Sequence, residues 1–198
     1  MPIGVLALQG DFREHLEVLS KSNAEAIPVR TAEELSVCNG LIIPGGESTV
    51  IEKLADMYSL TSPIKKAIAD GMPVFGTCAG LILLANEIVD GIPGQKGFGG
   101  LDISVRRNAF GNQLDSFETE LDFEGIDGDP VRAAFIRAPI VERVGTGVQV
   151  LSKLPDETIV AVKSGNILGI AFHPEISGEQ RVHRVFLEMV KARKFQDN

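Results

Sequence analysis

Apolar positions come in short blocks separated by polar, helix-like stretches, and this alternation repeats through the first half of the chain. Ile3 to Leu8 is an apolar run that breaks at Gln9-Gly10. Asp11 then caps a helix whose Phe12, Leu16 and Leu19 recur at helical spacing. Ala26 to Val29 reads as a short strand. Thr31 with Glu34 three residues later is a capping-box pattern for a brief helix ending near Ser36. Gly40-Leu41-Ile42-Ile43 is a further buried strand, closed by Pro44-Gly45-Gly46-Glu47-Ser48, and a helix follows from Thr49 to about Asp56. Ser62-Pro63 opens another through Ala69, with proline at the tolerated first position, and Gly71 stops it. Strands alternating with helices imply an α/β fold with a mostly parallel sheet covered on both faces. Active sites in such sheets lie beyond the carboxyl ends of the strands.

After Asp90 the texture changes. Gly91 to Gly97 reads as a loop, and Val131 to Ile136, Val148 to Leu151, Thr158 to Val162 and Ile167 to Phe172 read as strands, the last two joined by a Lys163-Ser164-Gly165-Asn166 hairpin. From Gly178 to Lys194, Val182, Val185, Phe186, Met189 and Val190 fall at helical spacing, predicting a terminal amphipathic helix on the sheet. With 198 residues and no repeat or linker, the chain suits a single domain spanning 1–198.

Composition narrows the partners. A hydrophobic fraction of 44% and a mean hydropathy of +0.13 predict a compact soluble protein. A net charge of −8 without a basic stripe excludes nucleic acid as an expected partner. Apolar runs such as Leu81 to Leu84 fall far short of the ~18 residues of a membrane span. Only Cys38 and Cys78 occur, and Met1 to Leu6 lacks a secretory layout, so a reducing cytoplasm is the expected location.

The chemistry concentrates at Cys78. In Val74-Phe75-Gly76-Thr77-Cys78-Ala79-Gly80-Leu81, a short apolar strand ends in a cysteine flanked by glycines, and an apolar helix pattern begins at once. Gly76 and Gly80 leave room for a sharp corner that lifts the cysteine to the strand's carboxyl end, at a helix amino terminus that favours a negatively charged sulfur. A cysteine nucleophile also needs a base, an orienter for that base and oxyanion donors. Phe172-His173-Pro174-Glu175 offers the first two. On an extended segment His173 and Glu175 leave the same side of the backbone, held by Pro174. The N–H of Ala79 and one from Pro44-Gly45-Gly46, with Gly46 as the expected donor, supply the oxyanion site.

Other residues carry weaker signals. Cys38 reads as a packing residue, and His15 and His183, beside Arg13-Glu14 and Arg181, as solvent-exposed. Arg106-Arg107 is either a solvated strand edge or an anion site. Asp102, Asp115 and Glu118 have no metal-ligand spacing, so neither a metal nor another cofactor is expected.

These motifs resemble the class I glutamine amidotransferases with a Cys-His-Glu triad. More closely, Leu8-Gln9-Gly10 with Arg13-Glu14-His15, Pro44-Gly45-Gly46-Glu47-Ser48-Thr49, Arg107-Asn108-Ala109-Phe110-Gly111, Asp115-Ser116-Phe117 and Phe135-Ile136-Arg137-Ala138-Pro139 are similar to the glutaminase subunits of pyridoxal 5′-phosphate synthase. The resemblance spans essentially the whole chain. It implies a three-layer flavodoxin-like domain with added antiparallel strands. Cys78 would attack L-glutamine, His173 would transfer protons and Glu175 would orient His173. It also implies substrate contacts at Gly46, Glu47, Ser48, Arg107, Ile136 and Arg137, and a (β/α)-barrel synthase subunit as partner and ammonia acceptor. Rival expectations are a cysteine hydrolase of the same general fold, which usually pairs its cysteine with a histidine close in sequence, and a silent regulatory subunit. Position 79 is alanine, and the complete Cys78, His173 and Glu175 set weighs against silence.

Overall fold

A computed structural model describes residues 1–107 and 116–196; Asn108 to Gly111 and Asp115, part of the motifs above, lie outside the described residues. The first half runs β1 (Ile3–Leu6), α1 (Phe12–Lys21), β2 (Ala26–Val29), α2 (Ala32–Ser36), β3 (Gly40–Ile43), α3 (Ser48–Met57), α4 (Thr61–Ala69), β4 (Val74–Thr77) and α5 (Ala79–Leu84). The second adds β5 (Ala85–Val89), β6 (Leu101–Arg106), β7 (Ser116–Leu121), β8 (Val131–Ile136), β9 (Ile140–Val144), β10 (Gln149–Lys153), β11 (Ile159–Ser164), β12 (Ile167–Ile170), α6 (Pro174–Ser177) and α7 (Arg181–Gln196).

Ten strands form one sheet in the order β2-β1-β3-β4-β12-β11-β9-β6-β5, with β10 paired to β11, while β7 and β8 make a separate ribbon. From β2 to β12 the neighbours are parallel. From β12 through β11 and β9 to β6 they are antiparallel, and β5 closes the edge parallel to β6. β1, β3, β4 and β12 are buried along their whole length, as strands covered on both faces must be.

Alternation along β4 shows the two covering layers. Phe75 points to one face, where its ring meets His15 of α1 and His183 and Phe186 of α7. Gly76 points to the other, where a Cβ would stand 2.6 Å from Leu84 Cδ1 of α5. The order of strands brings the carboxyl ends of β1, β3, β4 and β12 side by side. Gln9, Gly46, Cys78 and His173, far apart in sequence, follow these four ends and therefore share one rim.

The capping box at Thr31 forms, with Glu34 N–H donating to Thr31 Oγ1 at 3.2 Å. The Lys163 to Asn166 hairpin also forms, β11 pairing with β12 from Ser164 and Ile167 outward. Other expectations shift. Asp11 occupies the N-cap position of α1 but makes no side-chain capping bond. α4 starts at Thr61, so Pro63 is its third residue; that is still within the first turn, where no intrahelical acceptor awaits an N–H. Cys38 packs as expected: it is buried and unbridged, its Sγ lies 3.1 Å from the Glu34 carbonyl, and burial, with Glu34 nearby, pushes its thiol up to about 11.

His15 and His183 overturn the expectation of exposure, since both are fully buried. The helical stripe explains it. His15 shares its face with Val18 and Leu19, and His183 with Phe186 and Val190, so their charged neighbours point away while the rings face Phe75. Among the described residues, no helix is long and apolar enough to cross a membrane.

Candidate active site

Cys78 is the single residue between β4 and α5, with φ 48° and ψ −100°. This left-handed conformation costs on the order of 1–3 kcal/mol for a residue with a Cβ and persists only where packing enforces it. The flanking glycines supply that packing through close approach. A Cβ on Gly80 would lie 2.1 Å from the Ile43 carbonyl oxygen, and one on Gly76 would lie 2.6 Å from the Gly80 carbonyl carbon. The Cys78 N–H donates to Ile170 O at 2.9 Å, tying the corner to β12, the strand that leads to the histidine.

Beyond β12 the chain continues through buried Ala171 and Phe172, and the His173 N–H donates to Ala134 O of β8 at 2.9 Å. The following segment is not extended, as the sequence analysis expects, but turns into α6. Pro174 occupies the first turn, where its fixed φ suits a helix, and His173 is the non-helical N-cap that a residue before proline prefers to be. Glu175 thus reaches His173 from within a helix turn. His173 Nδ1–H donates to Glu175 Oε1 at 2.7 Å, with both side chains buried.

That bond leaves Nε2 for the sulfur. Burial alone would lower the basicity of His173, but hydrogen bonds to Cys78 and Glu175 outweigh it and hold the imidazole proton up to about 10. Glu175 is itself raised above the ordinary carboxylate range, chiefly by burial, with His173 opposing. Asp11 Oδ2 stands 3.6 Å from His173 Nδ1. Asp11, His173 and Glu175 have ligand atoms within 4.8 Å of one another, the one such group among the described residues. The donation from Nδ1–H to Glu175 already occupies the imidazole nitrogen that a cation would need.

The loop after β3 forms the opposite wall. A Cβ on Gly45 would stand 2.4 Å from His173 Cε1, so glycine lets the imidazole lie against the backbone. Gly46 has φ +146°, and the next N–H, of Glu47, donates to Gln9 Oε1 at 2.8 Å. Glu47 Oε1 accepts from Arg107 Nη2 at 2.9 Å; Arg107 Nη1 donates to Gln95 Oε1 at 3.2 Å; Gln95 Nε2 donates to Ser48 Oγ at 3.1 Å. Gly46, Glu47, Ser48, Cys78, Ile82, Arg107, Ile136 and Arg137 enclose a cavity of about 30 Å³, room for water and not for an amino acid. Every substrate-contact residue expected from sequence lies on this wall. Ala79, the expected second oxyanion donor, is buried as the first residue of α5. Larger clefts of about 350 and 480 Å³, bordering β7 and β10, contain no histidine, cysteine or arginine.

A thiol, an imidazole and a carboxylate in line beside a small polar cavity define a chemistry, and known proteins give it a family. Residues 5–192 match the model of the SNO glutamine amidotransferase family. This chain belongs to that family. A protein of Leifsonia xyli subsp. xyli named pyridoxal 5′-phosphate synthase subunit PdxT is 57% identical over 191 residues, 96% of each chain. Its namesake in Dehalococcoides mccartyi is also 57% identical, over 98% of this chain and all of its own. A crystal structure described as a glutamine amidotransferase superposes with a TM-score of 0.90 at 47% identity, covering 96% of this chain and 100% of that one.

Within this SNO glutamine amidotransferase, the arginine pair separates. Arg106 turns to the surface and pairs with Asp90 and Glu142, whereas Arg107 faces the cavity. Sequence reasoning misses Ile82 and Gln95 on or beside the cavity wall. Ile82 reads as one more apolar helix position, and Gln95 lies in a loop without periodicity. It also misses the groups behind Glu175. His15 Nε2 lies 3.6 Å from Glu175 Oε2 and 3.1 Å from Thr77 Oγ1.

Proposed function

We propose that this chain hydrolyses L-glutamine to L-glutamate and ammonia as the glutaminase subunit of pyridoxal 5′-phosphate synthase. The observation that carries the reading is the Cys78, His173 and Glu175 line opening onto the cavity that Arg107 and Glu47 wall. The names and near-complete coverage of the relatives support the same assignment.

The Cys78 sulfur attacks the carboxamide carbon, and the C=O electron pair moves onto oxygen, where the N–H groups of Ala79 and Gly46 receive it. As the tetrahedral species collapses, the C–N bond breaks and His173 delivers a proton to the leaving nitrogen, releasing ammonia and a glutamyl thioester. His173 then takes a proton from water as that water attacks the thioester. The C–S bond breaks, and glutamate leaves with the sulfur restored. Glu175 keeps the imidazole oriented throughout. Arg107 offers its fork to the substrate α-carboxylate, and Glu47 accepts from the α-ammonium. Glutamine therefore replaces the Arg107–Glu47 pair with its own charges as it enters.

The partner is a (β/α)-barrel synthase subunit that takes the ammonia, and the reaction is placed in the cytoplasm, in one domain spanning 1–198. Incubating the chain with glutamine, alone and with the synthase subunit, tests the assignment. Glutamate should appear at least in the complex and vanish in Cys78→Ser with the fold retained. Absence of glutamate in both wild-type arms removes the reading.

A further inference from the structure

His15 and His183 are buried side by side directly behind Glu175. His15 Nδ1 lies 2.9 Å from His183 Nε2, and His15 Nε2 faces both Thr77 Oγ1 at 3.1 Å and Glu175 Oε2 at 3.6 Å. Glu175 Oε2 and His183 Nδ1 are buried polar atoms without a hydrogen-bond partner. The triad uses only Oε1 of the carboxylate. A buried carboxylate oxygen without a donor is costly, and the ring aimed at it comes from another element, α1.

We infer that His15 is a positioning residue for the triad: its Nε2–H faces Glu175 Oε2 and fixes the carboxylate in line with His173. This rests on the glutaminase reading of the site.

The proton assignment follows from the chain of contacts. One proton sits between the two histidines, and two arrangements satisfy it. If His183 donated from Nδ1, toward the Glu179 backbone that favours its protonation, His15 would donate to His183 from Nδ1. Its bare Nε2 would then accept from the Thr77 hydroxyl, and Glu175 Oε2, 3.6 Å away, would be left without a donor. If His183 donates from Nε2, His15 accepts at Nδ1 and carries its proton on Nε2, between Thr77 and Glu175. The second arrangement gives Oε2 an N–H neighbour at the cost of an unpaired lone pair at His183 Nδ1, toward the Glu179 backbone. A buried charged oxygen without a donor costs more than a neutral ring lone pair facing a carbonyl, which favours the second arrangement. Both rings stay neutral, because burial drives the basicity of each down.

Side-chain amides separate this role from packing. In the full chain with its synthase subunit, His15→Gln can place an N–H near the Nε2 position, whereas His15→Asn reproduces only Nδ1 and the link to His183. We expect His15→Gln to keep kcat within about threefold. His15→Asn should lose about 10- to 100-fold in kcat with KM unchanged, the range seen when groups supporting an active-site ligand are removed. Equal kcat in the two variants, or a better Asn variant, overturns the assignment. Should either variant fail to fold, the ¹⁵N spectrum of the histidines in the wild-type protein decides: His15 must show a protonated Nε2 and a bare Nδ1, and the reverse tautomer refutes the role. Wild-type protein that releases no glutamate would instead sink the glutaminase reading, leaving the tautomer test intact.

Discussion

A Cβ at position 45 would stand 2.4 Å from Cε1 of His173 and 3.0 Å from Asp11 Oδ2. The imidazole has nowhere to retreat, since Glu175 holds it from the other side at 2.7 Å. Gly45→Ala should therefore push the imidazole off its line to Cys78 and, on the proposed mechanism, cut kcat by about 100-fold, the cost of a displacement near 1 Å. Circular dichroism of the variant should match wild type, and a kcat within twofold of wild type would show that the loop yields instead. Cys78, His173 and Glu175, which adjoin in the structure, carry local marks in the sequence: glycines two residues on either side of the cysteine, and a proline between the histidine and the glutamate. His15 and His183 are not. A histidine on the inward stripe of a helix looks like a surface histidine until a facing ring, here Phe75, closes over it.

Gly80 places α5 against β3, because its missing side chain admits the Ile43 carbonyl oxygen at a distance no Cβ could share. Two effects oppose each other in Gly80→Ala. Helix propensity favours alanine by about 1 kcal/mol. A Cβ 2.1 Å from a backbone oxygen forces the helix off the strand, and overpacking of this kind costs about 3 kcal/mol or more. The clash wins. The melting temperature should fall by several degrees, with glutaminase activity falling alongside because the corner at Cys78 moves with the helix. Calorimetry showing a raised melting temperature would reverse this order of effects. The elements of the parallel half are readable because their strands are short apolar runs separated by stretches with helical spacing. β5, β7 and β9 are not, being partly exposed and mixed in polarity, so that only their ladders define them.

Across the whole molecule, the buried histidines set an acid limit on stability. His183 is held down to about 4 and His15 well below its ordinary 6.5, in both cases chiefly by burial. In the unfolded chain each protonates below about pH 6.5. Their stabilising contribution is therefore complete above that value and drains away as pH falls toward 4. At pH 5 the loss for His183 is about 2 kcal/mol, and His15 adds to it in the same direction. Glu175, raised by burial, runs the other way as it takes up its proton, one group against two. His173, held up to about 10, is protonated in both states only below about pH 6.5; its contribution is complete there and is lost as pH rises from 6.5 toward 10. Melting curves from pH 6.5 to 4.5 should drop by on the order of 5–10 °C by pH 5. A flat profile to pH 5 would contradict the buried, neutral histidines.

The strand order has a consequence for how the molecule is made. β12, among the last strands synthesised, lies in mid-sheet between β4 and β11 and leads to His173. A growing chain on the ribosome therefore exposes its thiol beside an unfilled slot. The imidazole reaches that thiol only when the slot is zipped shut near the end of translation.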